Sequence, residues 1–451
     1  MNRSCSFLII TQLLSFIASA QDTSSAVSPD NWNEMAFSLS NLYEDDFGKV
    51  FSKELSVSGE GVARSSDVNL PFSLGLIRNK FLDVEKKNDV SSRLNKMNVL
   101  EFSAGFNLNY RWIADSFIYR SPALYNLNFS TGTFSFTHFT DDLFSTIFYG
   151  NAHFAGQTAD FSKTGSYTFS YDKLSFSVQK KIASANSAWE IGTGISLLGV
   201  RNLTKIDIAH GTLFTAETGE YLDADYDYEF IASDSSNHGG FLNFFNPDFT
   251  LSPASSFDGF GAALDFQISF LSTSQKTKWN FYVNDLGFAN WNRNTRTHTA
   301  DSMIRFEGIE VLNLFSSDSS SLLHFNSDSI LKITGTTVQA GKRTTIIPFN
   351  VSIEYLHSFS PRMILAAGIS YRPSIDMLPL LFVKPQWNFN SFRVAAILSG
   401  GGNTSYALGA VASATIKKQF KIFLGSDNFL GLLIPKQTTS ASLFLQAAFQ
   451  F

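Results

Sequence analysis

Cysteine is nearly absent: Cys5 is the only one in 451 residues. It lies upstream of an apolar leader, the wrong place for a lipoprotein cleavage cysteine. With the leader removed no thiol remains, which excludes disulfides, thiolate nucleophiles and cysteine metal sites. Charge is scarce as well. Charged residues make up 16% of the chain, against roughly 25% in an average soluble domain. The balance is slightly acidic, −5 formally and one unit more negative without Arg3, which argues against a nucleic-acid partner. Long hydrophobic runs are missing too. The longest candidates, Met363 to Ile369 and Phe429 to Ile434, fall far short of the roughly 18 apolar residues of a membrane helix. If the chain crosses a bilayer, it does so with strands.

What the chain has instead is aromatic residues and alternation. Aromatics reach 15%, with 46 Phe. Arg3, the broken apolar core Phe7 to Ile17 and Ala18-Ser19-Ala20 have the form of a secretory signal over residues 1–20, leaving Gln21 as the mature start. A membrane anchor is the alternative, but the segment is too short to span comfortably. At the other end Leu443, Leu445, Ala447, Phe449 and Phe451 share one parity, and Gln446, Ala448 and Gln450 the other. This is one strand with an apolar face. Its aromatic terminus, Phe451, has the form of the signal read by the outer-membrane barrel-assembly machinery.

The same alternation recurs along the chain. Leu100, Phe102, Ala104, Phe106, Leu108, Tyr110 and Trp112 interleave with Glu101, Ser103, Gly105, Asn107, Asn109 and Arg111. Phe260 to Phe270, Trp189 to Leu197, Trp279 to Val283 and Phe349 to Tyr355 repeat it. Further strands are expected near 133–139, 143–149, 166–178, 363–372, 386–398, 404–417 and 419–425, with weaker ones near 55–62 and 72–78. The phase slips near Asp172-Lys173, which predicts a bulge or turn there. A lipid-crossing strand needs roughly 9 to 11 residues, near the size of these segments. A large soluble β-sandwich also alternates, so export and the terminal Phe decide. The expectation is all-β: a transmembrane antiparallel barrel over residues 55–451, of about 14 strands because bacterial barrels have even counts.

Three regions depart from simple strands. Residues 21–54 are polar and read as a plug or periplasmic segment. Val84 to Asn98 has the charge and spacing of a short helix. Arg201 to Asp258 and Gly287 to Ile347 read as long extracellular loops with strand extensions, because periplasmic turns are short.

Four stretches carry a resemblance: Tyr149 to Gly156, Ile191 to Gly199, Val283 to Trp291 and Gly425 to Pro435. Together, across roughly residues 70 to 451, the chain resembles an uncharacterised outer-membrane family of Bacteroidota. That family is similar to the FadL-type fatty-acid transporters and the PorV-type barrels of type IX secretion. The resemblance implies a single-chain barrel close to the 14-stranded FadL form, with no known substrate and no catalytic residues. The chain lacks the Asn-Pro-Ala turn expected early in FadL-type proteins, which puts a FadL-like N-terminal hatch in doubt.

No chemistry-bearing motif stands out. The seven histidines show no paired metal spacing. Gly192-Thr-Gly194 and Gly199 lie inside an alternating strand, not between a strand and a helix, so they suit close packing rather than a phosphate. Asp223, Asp225 and Asp227 have calcium-loop spacing, but Tyr228 replaces the turn glycine and Asp234 stands at the twelfth position. They also alternate with Tyr226, Tyr228 and Phe230, which is strand logic. No cofactor is expected, and no nucleophile–base pair that would make an enzyme barrel. The candidate lumen-lining charges are Glu101, Arg111, Asp265, Glu354 and Arg393, because a lipid-facing Arg or Lys costs roughly 2–4 kcal/mol at mid-membrane. The expected partners are outer-membrane lipid, the assembly machinery at Phe451, and either a hydrophobic small molecule or an exported protein. The leading functional expectation is a FadL-like passive transporter or binder of an apolar or amphiphilic small molecule. The alternative is a PorV-like scaffold.

Overall fold

The computed structural model describes residues 53–77, 83–115, 122–184, 187–233, 257–272, 274, 276–307, 335–373, 375–376, 378–389, 391–416 and 419–451. The expected leader and nearly all of segment 21–54 lie outside the described residues, as does Asp234. The strands are β1 (Lys53–Ser65), β2 (Met97–Asp115), β3 (Pro122–Thr140), β4 (Gln157–Asp160), β5 (Thr164–Ser184), β6 (Ser187–Thr215), β7 (Leu222–Ala232) and β8 (Gly259–Leu271). Then come β9 (Thr277–Trp291), β10 (Arg296–Phe306), β11 (Thr337–Ala340), β12 (Arg343–Ile346), β13 (Asn350–Ser360) and β14 (Met363–Tyr371). The last are β15 (Leu378–Asn388), β16 (Phe392–Gly402), β17 (Thr404–Ile416), β18 (Phe420–Ser426) and β19 (Ala441–Gln450).

All but β4, β7, β10, β11 and β12 form the wall, a closed antiparallel barrel of 14 strands. Closure is between β1 and β19, with Leu55 opposite Phe449 and Val62 opposite Ser442. Short turns gather at the end where β1 starts and β19 finishes. Long connections gather at the other end. There β6 runs past the wall and pairs with β4 and β7, β7 with β10, and β10 with β11. This sheet extends beyond the rim, so the two long polar regions are partly strand. Helices α1 (Leu70–Ile77), α2 (Val84–Ser91) and α3 (Asp141–Tyr149), and a single turn α4 (Leu430–Leu433), lie at the same end.

The outward parity is apolar in the half nearest the short turns. Leu108, Phe129, Phe176, Ile195, Leu264, Ile353 and Leu424 are all exposed there. Aromatics rim its lower edge: Tyr110 stacks on Trp112, Trp112 on Tyr125, Trp189 meets Phe270 and Trp279 meets Tyr355. Such a band with an aromatic edge is the surface that outer-membrane barrels present to lipid.

The faces exchange chemistry halfway up β3, β5 and β6. Below the exchange Leu174 and Phe176 face out while Lys173 and Ser175 face in. Above it Tyr167, Phe169 and Tyr171 face in, with Phe134, Phe136, Leu198 and Val200, and these pack as one buried apolar cluster. The outer face there carries a Ser/Thr ladder, Thr133–Ser170 at 2.8 Å, Ser135–Thr168 at 2.7 Å and Thr137–Ser166 at 2.9 Å. The pattern slip at Asp172-Lys173 is therefore this exchange, with unbroken strand register through both residues. The bulge sits instead in β6, where Asn202 has φ 56° between Arg201 and Leu203.

Three expected strands are corrected. Residues 72–78 lie mostly in α1, because Asn69 accepts the Phe72 amide at 3.0 Å and Pro71 fits a first helical turn. Residues 143–149 lie in α3, because the Thr140 hydroxyl accepts the Leu143 amide, Asp141 and Asp142 favour the helix start, and Gly150 at φ 85° ends it. Phe72, Leu143 and Phe144 then bury against Leu100, Phe102 and Phe139 on the outer face of β2 and β3. The 386–398 strand is two strands, split where the Phe389 and Phe392 backbones exchange hydrogen bonds across a turn. Of the helix expected at 84–98, Val84–Ser91 is present as α2, capped by Asp83, while Met97 and Asn98 already belong to β2.

Candidate functional site: two chambers inside the barrel

Inward parity in the lower half is polar. On β2 and β3, Asn109 faces Asn128 and Arg111 faces Asn126. On β6 and β8, Gly194 faces Asp265. A Cβ on Gly194 would lie 3.1 Å from Asp265 Oδ2, so the glycine makes room for the carboxylate. In β9 the residues Asn284 and Asp285 together oppose the single Asp265, a bulge that holds Asp285 at φ 60° and turns it inward. Its amide donates to Asp265 Oδ1 at 2.8 Å, and Lys173 Nζ donates to Asp285 Oδ1 at 2.6 Å.

These groups divide the interior. Beneath them is a polar chamber of about 120 Å3, walled by Asn107, Asn109, Asn126, Asn128, Gln179 and Gln267 among others. Above them is a smaller chamber of about 50 Å3 walled by Phe134, Phe169, Tyr171, Leu198, Ile347 and Phe349. Lys173, Asn284 and Asp285 line both, so the chambers abut. Trp291, 1% exposed, and Tyr167 meet over Thr345, whose hydroxyl accepts the indole N–H at 2.9 Å.

A buried polar knot closes the side of the upper chamber. Arg372 follows β14 and its guanidinium donates to both oxygens of Glu101, at 2.6 and 2.9 Å. It donates twice more to Asp376 Oδ1, at 3.0 and 2.6 Å. Asn403 also donates to Glu101, and Arg64 pairs with Asp427. The knot draws the β14–β15 connection into the barrel, where Ile375 joins the apolar cluster.

Of the five sequence candidates, Arg111 and Asp265 line the polar chamber. Arg111 lies 3.6 Å from Glu54, which accepts from Gln450 at 2.7 Å. Glu101 belongs to the knot. Glu354 lies on another wall, 3.5 Å from Lys384 and 3.0 Å from the Asn280 amide. Arg393 has inward register opposite Ser413, near the short-turn end, apart from the others. Sequence reasoning missed Lys173, Asp285, Arg372 and Lys384. Lys384 was legible, standing between Val383 and Pro385 in a short alternating run. Arg372 was not, because it lies in a connection. Asp223, in the outer sheet, is gripped by Arg305 through two bonds of 2.7 Å, which hold its carboxyl below the usual carboxylate range. Asp225 lies 3.4 Å from His210 Nε2. Both are thus engaged as strand residues.

Comparison with known proteins adds a family and a fold likeness. The family described as "Family of unknown function (DUF5723)" matches residues 58–427. No curated protein matches the sequence. Among solved structures, the P. putida toluene transporter TodX aligns at 7% identity and a TM-score of 0.42, over 91% of this chain and 92% of that one. A Pseudomonas aeruginosa FadL homologue aligns at 7% identity and a TM-score of 0.40, over 89% and 90%. A mutant Rh. blastica porin aligns at 8% identity and a TM-score of 0.23, over 88% and 100%.

Proposed function

This chain belongs to the DUF5723 family of unknown function, and from its own interior we propose a FadL-like outer-membrane barrel that passes or holds an apolar or amphiphilic small molecule. One observation carries the reading: an apolar chamber directly abutting a polar one inside a closed barrel. An amphiphile matches that pair of environments, with its chain in the upper chamber and its polar end below. The exposed apolar band and aromatic edge support insertion in a bilayer. The short-turn end is then periplasmic, and the outer sheet and helices are extracellular. Removal of residues 1–20 and capture of Phe451 by the assembly machinery belong to the same reading.

A PorV-like scaffold is the second reading. The Arg372 knot at the side of the upper chamber and the broad outer sheet favour it. The test is uptake by liposomes carrying refolded mature protein, with small sugars and a fluorescent long-chain fatty acid side by side. Fatty-acid uptake without sugar flux supports transport. Absence of both sends the search to protein partners of the outer sheet.

A further inference from the structure

We infer that the polar end of the ligand is neutral and rich in hydroxyl groups, as in an alkyl glycoside, rather than a carboxylate. This deepens the amphiphile reading above and rests on it. The argument is which groups in the lower chamber already have partners. Its lining charges are Arg111, Lys173, Asp265 and Asp285, two of each sign. Lys173 is held by Asp285, Arg111 stands beside Glu54, and Asp265 accepts the Asp285 amide. A carboxylate or ammonium entering here must break one of these pairs or stay uncompensated, and both are costly.

Apart from Arg111 Nη1, whose charge Glu54 balances from 3.6 Å, the unsatisfied side-chain groups lining the chamber are neutral. Asn109 is 8% exposed and Gln179 is 7% exposed, yet Asn109 Oδ1 and Gln179 Nε2 have no hydrogen-bond partner in the structure. Asn126 Oδ1 and Asn128 Oδ1 are likewise unpartnered, and all four side chains line the chamber. Buried carboxamides without partners are rare in folded proteins. Each offers a donor and an acceptor at adjacent atoms, which is the complement of a hydroxyl that both gives and accepts. Arrayed over β2, β3 and β5, they suit a head bearing several hydroxyls. The chamber, about 120 Å3 in volume, is smaller than the ~300–1,000 Å3 of whole-ligand sites, which suits the polar end of an amphiphile rather than the entire molecule.

The test is equilibrium binding of radiolabelled octyl glucoside, octanoate and octyltrimethylammonium to the full mature protein in lipid nanodiscs, each below its micellar concentration, with empty nanodiscs as background. The expected result is at least tenfold tighter binding of octyl glucoside than of either charged ligand. Asn109→Ala with Gln179→Ala should weaken octyl glucoside about tenfold and leave octanoate unchanged. Retained heat-modifiable gel migration verifies that the variant is folded. Equal or tighter binding of octanoate overturns the neutral-head inference while the amphiphile reading stands. Binding of none of the three overturns both.

Discussion

Replacing Arg372 with Leu should cost far more than replacing Glu101 with Gln, although both break the same pair. Arg372 makes four charge-assisted hydrogen bonds within the knot, two to Glu101 and two to Asp376. Glu101 is 0% exposed and Asp376 is 8% exposed. Removal of the guanidinium leaves two buried carboxylates, with the Arg64 guanidinium 3.8 Å from Glu101 as a more distant cation. Truncating one side of a buried pair costs about 3–5 kcal/mol. Glu101→Gln keeps an oxygen that accepts one guanidinium bond, and Asp376 still balances the charge. Its cost is about 1.5–3 kcal/mol, that of one hydrogen bond to a charged group. The double variant should recover part of the loss, since only the Asp376 carboxylate is then left without the guanidinium. Urea unfolding in phospholipid vesicles reads these differences, and planar-bilayer conductance reads the second consequence. Without Arg372 only the packing of Ile375 in the apolar cluster holds the connection inward, so the upper chamber should open more readily and ion conductance should appear in Arg372→Leu. Equal costs for the two single variants, with no gain of conductance, would show that the knot does not hold the connection in place.

Three further outcomes are expected. Ile195→Arg, on the apolar band at 52% exposure, should reduce folding into vesicles by about 2–4 kcal/mol, while Ile195→Leu folds as wild type; indifference to the arginine would place the band outside lipid. Gly287→Ala puts a Cβ 2.1 Å from the Ala262 carbonyl oxygen and 2.6 Å from Ala263 Cα, forcing β8 from β9 at about 1–3 kcal/mol, whereas Gly341→Ala meets nothing within 4 Å and should leave urea midpoints unmoved. The Asp223 carboxyl is held below its ordinary value of 3.8 by Arg305, so its contribution is complete above that pH and is lost as pH falls through the folded value; amide protection in β7 and β10, taken relative to the intrinsic exchange rate, should fall below about pH 4, and Arg305→Gln should flatten that dependence.

The lower half of the barrel was legible because lipid outside and polar groups inside impose a strict period of two. Leu100 to Trp112 reads as a strand from its residues alone. The upper half obeys the opposite rule, and Tyr167, Phe169 and Tyr171 on the inner face looked like a backbone slip. Helices α1 and α3 were hidden for a local reason. Each is a short apolar run of under ten residues in which capping by Asn69 or Thr140 outweighs the strand preference of Phe, Thr and Ile. The inward charges Glu101, Arg111, Asp265 and Glu354 follow from parity. Their partners do not, since Arg372 meets Glu101 from 271 residues away and Asp285 faces inward only through a bulge.

The exchange of faces on β3, β5 and β6 also sets depth. If the band lies in hydrocarbon, sinking by one strand residue pair would drag the Thr133–Ser170 and Ser135–Thr168 ladder into it. Rising by the same amount would lift Phe129, Leu174 and Ile195 into water. Both displacements oppose motion along the membrane normal, so the barrel carries its own draught mark, written at Asp172 and Lys173. The chambers meet at the same level, where Lys173 and Asp285 stand. A bound amphiphile would therefore have its two ends divided at the height of the outer bilayer surface, and a thinner or thicker membrane would shift the whole site with respect to its surroundings.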